Sequence, residues 1–209
     1  MPDIRAIWTA QSKTACTTSV LPDGCRDLIC LEQRASAPRW FLSPLQANAR
    51  VVQIDAGTRM TGFRLQAGVH LDQAMMRLLA GRAPDRAQIS NLVAENVRLP
   101  PDTAEALACL AQASSVAQGA QALGVSMRSL QRLIMRDTGK SPAFWLQLAR
   151  LRRAGRLVCE MPLVETAYEA GYADQAHMSR AFRRWFGCSP AAFRTRPDLV
   201  AQVFSRAYG

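Results

Sequence analysis

Residues 1–68 carry short runs in which hydrophobic and polar positions alternate, and prolines and glycines separate these runs. Runs of this kind are typical of β-strands, and the pair Asp23-Gly24 suits a tight turn with positive φ. The runs lie at residues 20–21, 27–31, 40–42, 51–54 and 62–65. We predict a small antiparallel sheet or open half-barrel that has one face in water.

The spacing of apolar residues then becomes helical, and three short amphipathic segments follow one another. Pro100-Pro101 precedes the third segment, and a double proline cannot continue a helix. We therefore place the domain boundary at this point. The predicted fold class is α+β, with a β-rich sensing or dimerisation domain and its connecting helices at 1–98 and an all-α domain at 99–209.

The C-terminal part contains the same helical unit twice. In each copy a short helix leads through a glycine-containing turn to a second helix, which begins at the capping residue Ser126 or Asp174. Each second helix ends at Gly-x-Ser-Pro, which suits a left-handed glycine followed by the start of a new helix. The second copy is one residue longer, and we place that residue in its turn. A longer helix at 142–160 is expected to join the two copies.

Two helix-turn-helix units are typical of proteins that insert a helix into the major groove of DNA. The charge agrees with this interpretation. The formal net charge is +10, and residues 120–197 contain thirteen Arg or Lys against five Asp or Glu, a net charge of +8. A clustered positive charge attracts a polyanion, so we predict double-stranded DNA as the partner.

Side chains that point away from the core of each second helix are the candidate base contacts. Arginine can bind the O6 and N7 atoms of guanine, and glutamine can bind the N6 and N7 atoms of adenine. In the first copy, Leu130, Leu133 and Ile134 form the predicted core face. The candidate base contacts are Arg128, Gln131 and Arg132 in the first copy and Gln175, Ala176, His177 and Arg180 in the second.

Polar and basic side chains near the helix ends suit phosphate contacts, which hold a protein in register without reading sequence. The candidate phosphate contacts are Ser126, Lys140, Asn96, Ser179, Arg183 and Arg184. Four further arginines, at positions 150, 152, 153 and 156, are expected away from the apolar stripe of the long joining helix.

Six cysteines are scattered without a Cys-x-x-Cys pair, and His70 and His177 lie far in sequence from ligand partners. We predict no metal site, no cofactor and no catalytic residue, so the chain is not expected to be an enzyme. Cys25 and Cys30 are candidate thiol sensors, because Arg26 would lower the pKa of a neighbouring thiol. The alternative is that these thiols are buried and inert.

No apolar run approaches the roughly 18 residues that a membrane-spanning helix needs. The N-terminus carries Asp3 and Arg5 and lacks the apolar core of a signal peptide. We therefore expect a cytoplasmic, nucleoid-associated protein that has no membrane partner.

The stretch from about residue 113 to residue 194 resembles the DNA-binding domain of the AraC/XylS family of bacterial transcription regulators. The resemblance rests on Leu151-Arg-Arg-Ala-Gly-Arg-Leu157 and on residues 167–194, which begin Ala-Tyr-Glu-Ala-Gly-Tyr-Ala-Asp-Gln. It implies two recognition helices in successive major grooves and, in activators, contacts with RNA polymerase. Ala176 departs from the polar residue often found at its position. Residues 21–29 and 62–68 are similar to a short N-terminal domain of some family members.

The favoured hypothesis is a sequence-specific transcription activator with RNA polymerase as a second partner. Three alternatives stay open: the chain could respond to a small-molecule effector, it could sense thiol chemistry, or it could act as a homodimer rather than as a monomer that spans two grooves. A DNA-repair methyltransferase of the adaptive-response type is a further alternative from another class. Cys16, Cys25 and Cys30 supply only three thiolates at irregular spacing, which argues against its zinc-bound cysteine.

Overall fold

The computed structural model describes residues 4–34, 36–69, 71, 73–97, 99–205 and 207–208. These residues divide into two compact units. The first unit comprises Met1–Thr18, Cys25–Leu45 and Val51–Leu99, and the second comprises Ser19–Gly24, Gln46–Arg50 and Pro100–Gly209.

The described strands confirm an antiparallel sheet. They are β1 (Ile4–Gln11), β2 (Cys16–Val20), β3 (Arg26–Glu32), β4 (Arg39–Leu42), β5 (Arg50–Ile54) and β6 (Arg59–Leu65). Four of them pair in the order β1-β6-β3-β4, and β2 pairs separately with β5. The sequence analysis missed β1, which carries β-branched residues at Ile4, Ile7 and Thr9 but no flanking glycine or proline pair. The sheet was expected to have one buried face and one solvent-exposed face. This is wrong for β5, because the consecutive residues Val51 and Val52 point to opposite faces and are both exposed.

The four-stranded sheet buries one face against two of the predicted connecting helices, α1 (Gln73–Leu79) and α2 (Arg86–Asn96). Leu28 and Phe63 of the sheet are fully buried together with Ile89 of α2. On paired strands, the Arg64 guanidinium donates to both carboxylate oxygens of Asp27, at 3.0 and 3.1 Å. The sheet and helices thus form a two-layer α+β unit with its own apolar core.

The second unit is helical. Its helices are α3 (Pro101–Gln112), α4 (Val116–Ala122), α5 (Met127–Thr138), α6 (Pro142–Leu157), α7 (Leu163–Glu169), α8 (Gln175–Phe186), α9 (Pro190–Arg194) and α10 (Pro197–Phe204). The expected pair of helix-turn-helix units is therefore present as α4–α5 and α7–α8, with α6 between them. The sequence analysis missed α10, although Pro197 at its start and Leu199 and Val203 at helical spacing are recognisable signals.

Helix α6 lies at the centre of this unit and is buried on most of its circumference. Trp145, Leu148 and Leu151 have no exposed surface. The indole N–H of Trp145 donates to the Thr138 hydroxyl at 2.9 Å, and its ring packs edge-on against Tyr208 at 4.8 Å. An added Cβ at Gly155 would lie 3.1 Å from Val203 Cγ1, so α6 is closely packed at this glycine. The neighbouring helices of the second unit therefore pack against α6.

The expectation that all four α6 arginines lie away from the apolar stripe is wrong for Arg152. Arg152 is fully buried, and its guanidinium donates to the Val203 carbonyl at 3.0 Å and the Ser205 carbonyl at 3.2 Å. Arg156 donates to the Val203 carbonyl at 3.4 Å. These carbonyls lie at the C-terminal end of α10, where the last turn of a helix has no internal donors. A cation there also interacts favourably with the helix dipole.

The same arrangement recurs at two other helix ends. Arg153 donates to the Ala111 carbonyl at the end of α3, at 3.0 Å, and Arg150 donates to the Ser114 carbonyl just beyond it, at 2.9 Å. Arg194 of α9 donates to the Val158 carbonyl at the end of α6, at 2.6 Å. Among the described residues of the second unit, five arginines therefore donate to backbone carbonyls, and sequence periodicity alone could not show this.

Residues 19–24 belong to the helical unit. The backbone N–H of Leu21 donates to the Gln202 side-chain oxygen at 2.9 Å, and the Tyr208 N–H donates to the Asp23 carbonyl at 3.0 Å. Gly24 has φ +77°, which confirms the expected turn with positive φ. A Cβ at Gly24 would lie 2.8 Å from Tyr208 Cβ and 2.9 Å from Trp145 Cζ3. Only glycine therefore fits both the backbone conformation and the space.

We expect Gly24→Ala to destabilise the second unit more than Gly187→Ala does. Gly187 has a similar φ of +74° but nothing within 4 Å of an added Cβ, so it is the matched control for backbone strain alone. Overpacking against the rings should add about 1–3 kcal/mol to the loss at Gly24. Urea unfolding followed by far-ultraviolet circular dichroism measures both free energies. Equal losses in the two variants would contradict the close packing of Gly24.

Candidate nucleic-acid interface

The two helix-turn-helix units have equivalent turns. In the first, the Val125 N–H donates to the Ala120 carbonyl at 3.0 Å; in the second, the Tyr172 N–H donates to the Ala167 carbonyl at 2.8 Å. Both pairs are 47 residues apart, whereas the capping residues that follow are 48 apart. The additional residue is therefore Ala173, which confirms that the insertion lies in the turn.

The second helix of each unit begins and ends in the same way. The Ser126 hydroxyl accepts from the Ser129 N–H at 3.0 Å, and the Asp174 carboxylate accepts from the His177 N–H at 2.6 Å. Both helices end at a glycine in the left-handed conformation, as expected. Since α5 and α8 are both twelve residues long, each position of α5 has a counterpart 48 residues later in α8.

The buried faces of α5 and α8 coincide in this alignment. The buried positions are Leu130, Ile134 and Thr138 in α5, and Met178, Phe182 and Phe186 among those in α8. Leu133, which was expected in the core, lies at its margin and is half-buried. Arg132 and Arg180 occupy equivalent positions on the opposite side, and both are exposed. The two helices thus present an arginine at the same place on the outward surface.

The other candidate base contacts are not equivalent in the two helices. Arg128 and Gln131 are exposed, as expected, but their counterparts in α8 are Ala176 and Ser179. Ser179, a candidate phosphate contact, therefore stands where α5 carries a candidate base contact. The counterpart of Gln175 is Met127, whose side chain is 58% exposed. Sequence analysis did not select Met127, although an apolar side chain can contact the methyl group of thymine.

His177 is only half-buried, and its ring lies edge-on against Tyr172 with 5.2 Å between the ring centroids. Arg180 and Arg183 are exposed beside it on the outward side of α8. Four of the candidate residues, namely Gln175, Ala176, His177 and Arg180, therefore share the N-terminal half of one helix, as expected from their spacing.

The candidate phosphate contacts are more dispersed. Arg183 and Arg184 are exposed on α8, and Lys140 follows α5 with its ammonium 5.4 Å from the ring centroid of Phe144. The Ser126 hydroxyl is occupied as the cap of α5. Asn96 lies in α2 of the first unit, and its amide donates to the Leu92 carbonyl at 2.9 Å. The structure thus groups the arginines and Lys140 in the helical unit but not Asn96.

Arg136 and Arg184 occupy equivalent positions but have different surroundings. The Arg136 guanidinium donates to both carboxylate oxygens of Asp137, at 2.5 and 2.9 Å. Within the described part of the chain, Arg184 has no hydrogen bond or ion pair, and the residue after it is Trp185 instead of an acid. The charge at this position is therefore neutralised in α5 and available in α8.

A groove of about 280 Å³ lies along one flank of α8, between that helix and α6. Three arginines line it, Arg150, Arg180 and Arg184, together with the ring of Tyr172 and no acidic side chain. The Arg150 guanidinium lies 5.7 Å from the centroid of that ring. Burial raises the pKa of the Tyr172 hydroxyl, and Arg150 opposes this effect only in part. The hydroxyl therefore stays protonated and is a hydrogen-bond donor at physiological pH.

A second, more open groove of about 430 Å³ lies along the other flank of α8. Its lining residues are Gln175, Ala176, Ser179, Arg180 and Arg183. Arg180 borders both grooves and thus stands on the ridge between them. Sequence analysis did not select Arg150 or Tyr172, because one is on the long joining helix and the other in a turn.

The structure argues against Cys30 as a thiol sensor. Cys30 has no exposed surface, and burial together with nearby Glu32 raises the pKa of its thiol to about 11. Cys25 is also buried, whereas Cys16 and Cys159 are exposed. Among the described residues no three His, Cys, Asp or Glu side chains lie together as a metal site would require, and His70 is outside those residues. No helix in the described ranges is long and apolar enough to cross a membrane.

Comparison with known proteins concerns the helical unit. Residues 120–196 match a family model described as a helix-turn-helix domain. The HTH-type transcriptional activator RhaS of Salmonella arizonae is 34% identical over 85 residues, which are 40% of this chain and 31% of RhaS. The virulence regulon transcriptional activator VirF of Yersinia enterocolitica is 32% identical over 77 residues, which are 36% of this chain and 28% of VirF.

Among solved structures, the C-terminal domain of AraT, a response regulator from Geobacillus stearothermophilus, is 30% identical to this chain. The match has a TM-score of 0.44 and covers 47% of this chain and 87% of that domain. The chain spans only 31% and 28% of the two curated relatives, so these similarities describe the helical unit and not the whole of those proteins.

We expect N-ethylmaleimide to modify Cys16 in the native protein at neutral pH while Cys30 stays unmodified. Cys16 is exposed, whereas the Cys30 thiol is buried and its raised pKa leaves almost no thiolate. Peptide mass spectrometry at several reaction times distinguishes the two residues, and protein unfolded in urea is the control in which both react. Equal reaction rates in the native protein would restore Cys30 as a candidate sensor.

Proposed function

We propose that this chain is a sequence-specific DNA-binding regulator of transcription, because residues 120–196 match a helix-turn-helix domain and the similar protein RhaS is named as a transcriptional activator. Helices α5 and α8 are proposed to enter successive major grooves on one side of the duplex. The observation that carries this proposal is the equivalence of the two helices, which have matching caps, matching buried faces and an exposed arginine at the same position.

The geometry of an α-helix supports this mode of binding. A helix with its side chains is about 10–12 Å across, and the major groove is about 12 Å wide. The exposed residues of α5 and α8 would then face the edges of the bases. Arg132 and Arg180 are proposed to bind guanine, and Gln131 and Gln175 to bind adenine. Arg128 and His177 are proposed as further polar contacts to bases, whereas Ala176 can contact a base only through its methyl group.

Phosphate contacts are proposed for Lys140, Ser179, Arg183 and Arg184, which lie near the ends and on the flanks of the two helices. Such contacts supply affinity that does not depend on sequence and that falls as salt rises, because each neutralised phosphate releases counterions. Ser126 holds the N-terminus of α5, where free backbone N–H groups can also face a phosphate.

We further propose that the protein activates transcription, since the relatives aligned with its helical unit are named as activators. Activation would require contact with RNA polymerase, and the site of action would be the cytoplasm. The first unit is proposed to receive a small-molecule effector or to pair with a second copy. Its outer strands β1 and β4 each have one edge without a partner strand in the four-stranded sheet, and such an edge can pair with another chain.

The experiment that tests this function is selection of bound sequences from a random pool of duplexes, followed by affinity measurements on the selected sequence and on a scrambled duplex. We expect a preferred site with two half-sites about one helical turn apart. Affinity for the selected duplex should exceed that for the scrambled one by about 10³-fold or more. Failure to enrich any sequence, at salt concentrations where the protein still binds DNA, would contradict sequence-specific regulation.

We expect Arg132→Ala and Arg180→Ala each to weaken binding to the selected duplex by about 1–3 kcal/mol and to relax base preference at one position. Lys140→Ala, in contrast, should weaken the selected and scrambled duplexes alike and reduce the slope of affinity against salt by about one unit. Fluorescence anisotropy at several salt concentrations measures these effects. If all three variants lose the same affinity on both duplexes, the assignment of the two arginines to bases is wrong.

A further inference from the structure

The groove between α6 and α8 has a composition suited to one anionic group. Three guanidinium groups line it without an acidic side chain, and Gln147 adds a polar side chain. We propose that this groove holds one DNA backbone phosphate, bound by Arg150, Arg184 and the hydroxyl of Tyr172. This inference rests on the proposed function, and it adds two residues, Arg150 and Tyr172, that lie outside the recognition helix.

The groove lies on the flank of α8, where a DNA backbone phosphate is the expected ligand. When a helix occupies the major groove, its outward surface faces the bases and its two flanks face the two sugar-phosphate backbones. Arg180 stands on the outward ridge, and Arg184 lies one turn further on, bordering the groove toward α6. A phosphate on that side of the major groove would meet Arg184 first and then Arg150, which projects from α6 beneath it.

The hydroxyl of Tyr172 is a donor without a protein acceptor among the described residues. The residue is only 7% exposed, yet within the described ranges its hydroxyl makes no hydrogen bond. The hydroxyl oxygen is not among the fully buried polar atoms of the described residues, so it is accessible in the groove, where water or a ligand can accept its hydrogen bond. Because the ring lines the groove and the hydroxyl remains protonated, a phosphate oxygen in the groove would supply the missing acceptor.

The site is held in shape before any ligand arrives. Arg150 donates to the Ser114 carbonyl at 2.9 Å and lies against the Tyr172 ring at 5.7 Å, so its guanidinium is fixed from two sides. Donors fixed in this way lose little conformational entropy when they bind, and this favours affinity. Arg184 is the exposed partner that also lines the groove.

The first helix-turn-helix unit lacks two parts of this arrangement. Arg136, the counterpart of Arg184, is neutralised by both oxygens of Asp137. Val125, the counterpart of Tyr172 in the turn, has no hydroxyl and is 42% exposed. If the groove were a general consequence of the helix-turn-helix fold, the same side chains would be available in both units. They are available only in the second unit, so we assign the phosphate site to that unit.

The test uses the full chain and the duplex selected under the proposed function. We expect Tyr172→Phe to weaken binding about 10-fold, as removal of one hydrogen bond to a charged acceptor does, without changing the salt slope. Arg184→Gln should weaken binding and lower the salt slope by about one unit. The matched controls are Tyr168→Phe, which removes the hydroxyl of an exposed tyrosine on α7, and Arg136→Gln, which removes the neutralised guanidinium of α5. Both controls should change the affinity less than about twofold.

A second measurement locates the phosphate. Duplexes that carry a single neutral methylphosphonate at successive positions are titrated with wild-type protein and with the Tyr172→Phe and Arg184→Gln variants. One position in the half-site bound by α8 should weaken wild-type binding about 10-fold or more and should affect both variants much less. If both variants keep the full wild-type loss at every position, the groove does not hold a backbone phosphate.

These outcomes separate this inference from the proposed function. A wild-type chain that selects no sequence contradicts the function itself, whereas a chain that binds its selected duplex with Tyr172→Phe and Arg184→Gln unchanged contradicts only the phosphate site. Calorimetric titration with inorganic phosphate at constant ionic strength adds a third arm. Tight, saturable binding that Arg184→Gln abolishes would overturn the assignment in favour of a free anion as the ligand.

Discussion

Hydrogen bonds from arginine side chains to carbonyl groups at helix ends hold the second unit together. The last turn of a helix has carbonyls without internal donors, and a cation placed there satisfies them and opposes the negative end of the helix dipole. Arg152 does this for α10 from a fully buried position, Arg153 does it for α3, and Arg194 does it for α6. Two of these arginines project from α6, so that helix supplies hydrogen-bond donors to the ends of two of its neighbours.

The basic charge of this unit therefore has two separate roles. One set of arginines points inward to carbonyl groups, and the other set points outward from α5 and α8, where a polyanion can reach it. Arg150 belongs to both sets, since it binds the Ser114 carbonyl and also lines the groove beside α8. A net charge counted along the sequence overstates the charge available to a polyanion. The repeated architecture also allows unequal use of the two helices, because Asp137 neutralises Arg136 while Arg184 stays available.

Much of the helical unit could be predicted from short-range signals. Ser126 and Asp174 were expected as caps, and Ala173 lies in the turn that was expected to carry the additional residue. Such features depend on residues only a few positions apart, so spacing and residue type reveal them. The prediction failed where a residue acts at long range: Arg152 was expected away from the apolar stripe of α6, but it is buried against the end of α10. The role of Gly24 also depends on distant partners, since Tyr208 occupies the space that a side chain would need.

The amino-acid sequence by itself determined the two repeated units, their caps and turns, the outward direction of Arg132 and Arg180, and the excess of positive charge. The charge follows from composition alone, and the other features follow from local backbone preferences and from the helical period, which do not depend on distant residues. Only the tertiary structure decided which arginines are buried against carbonyls, which acid neutralises which base, and that Arg150, Tyr172 and Arg184 surround one groove. These outcomes depend on how distant helices approach each other, because the strength of a hydrogen bond or an ion pair depends on separation in space and not on position along the chain.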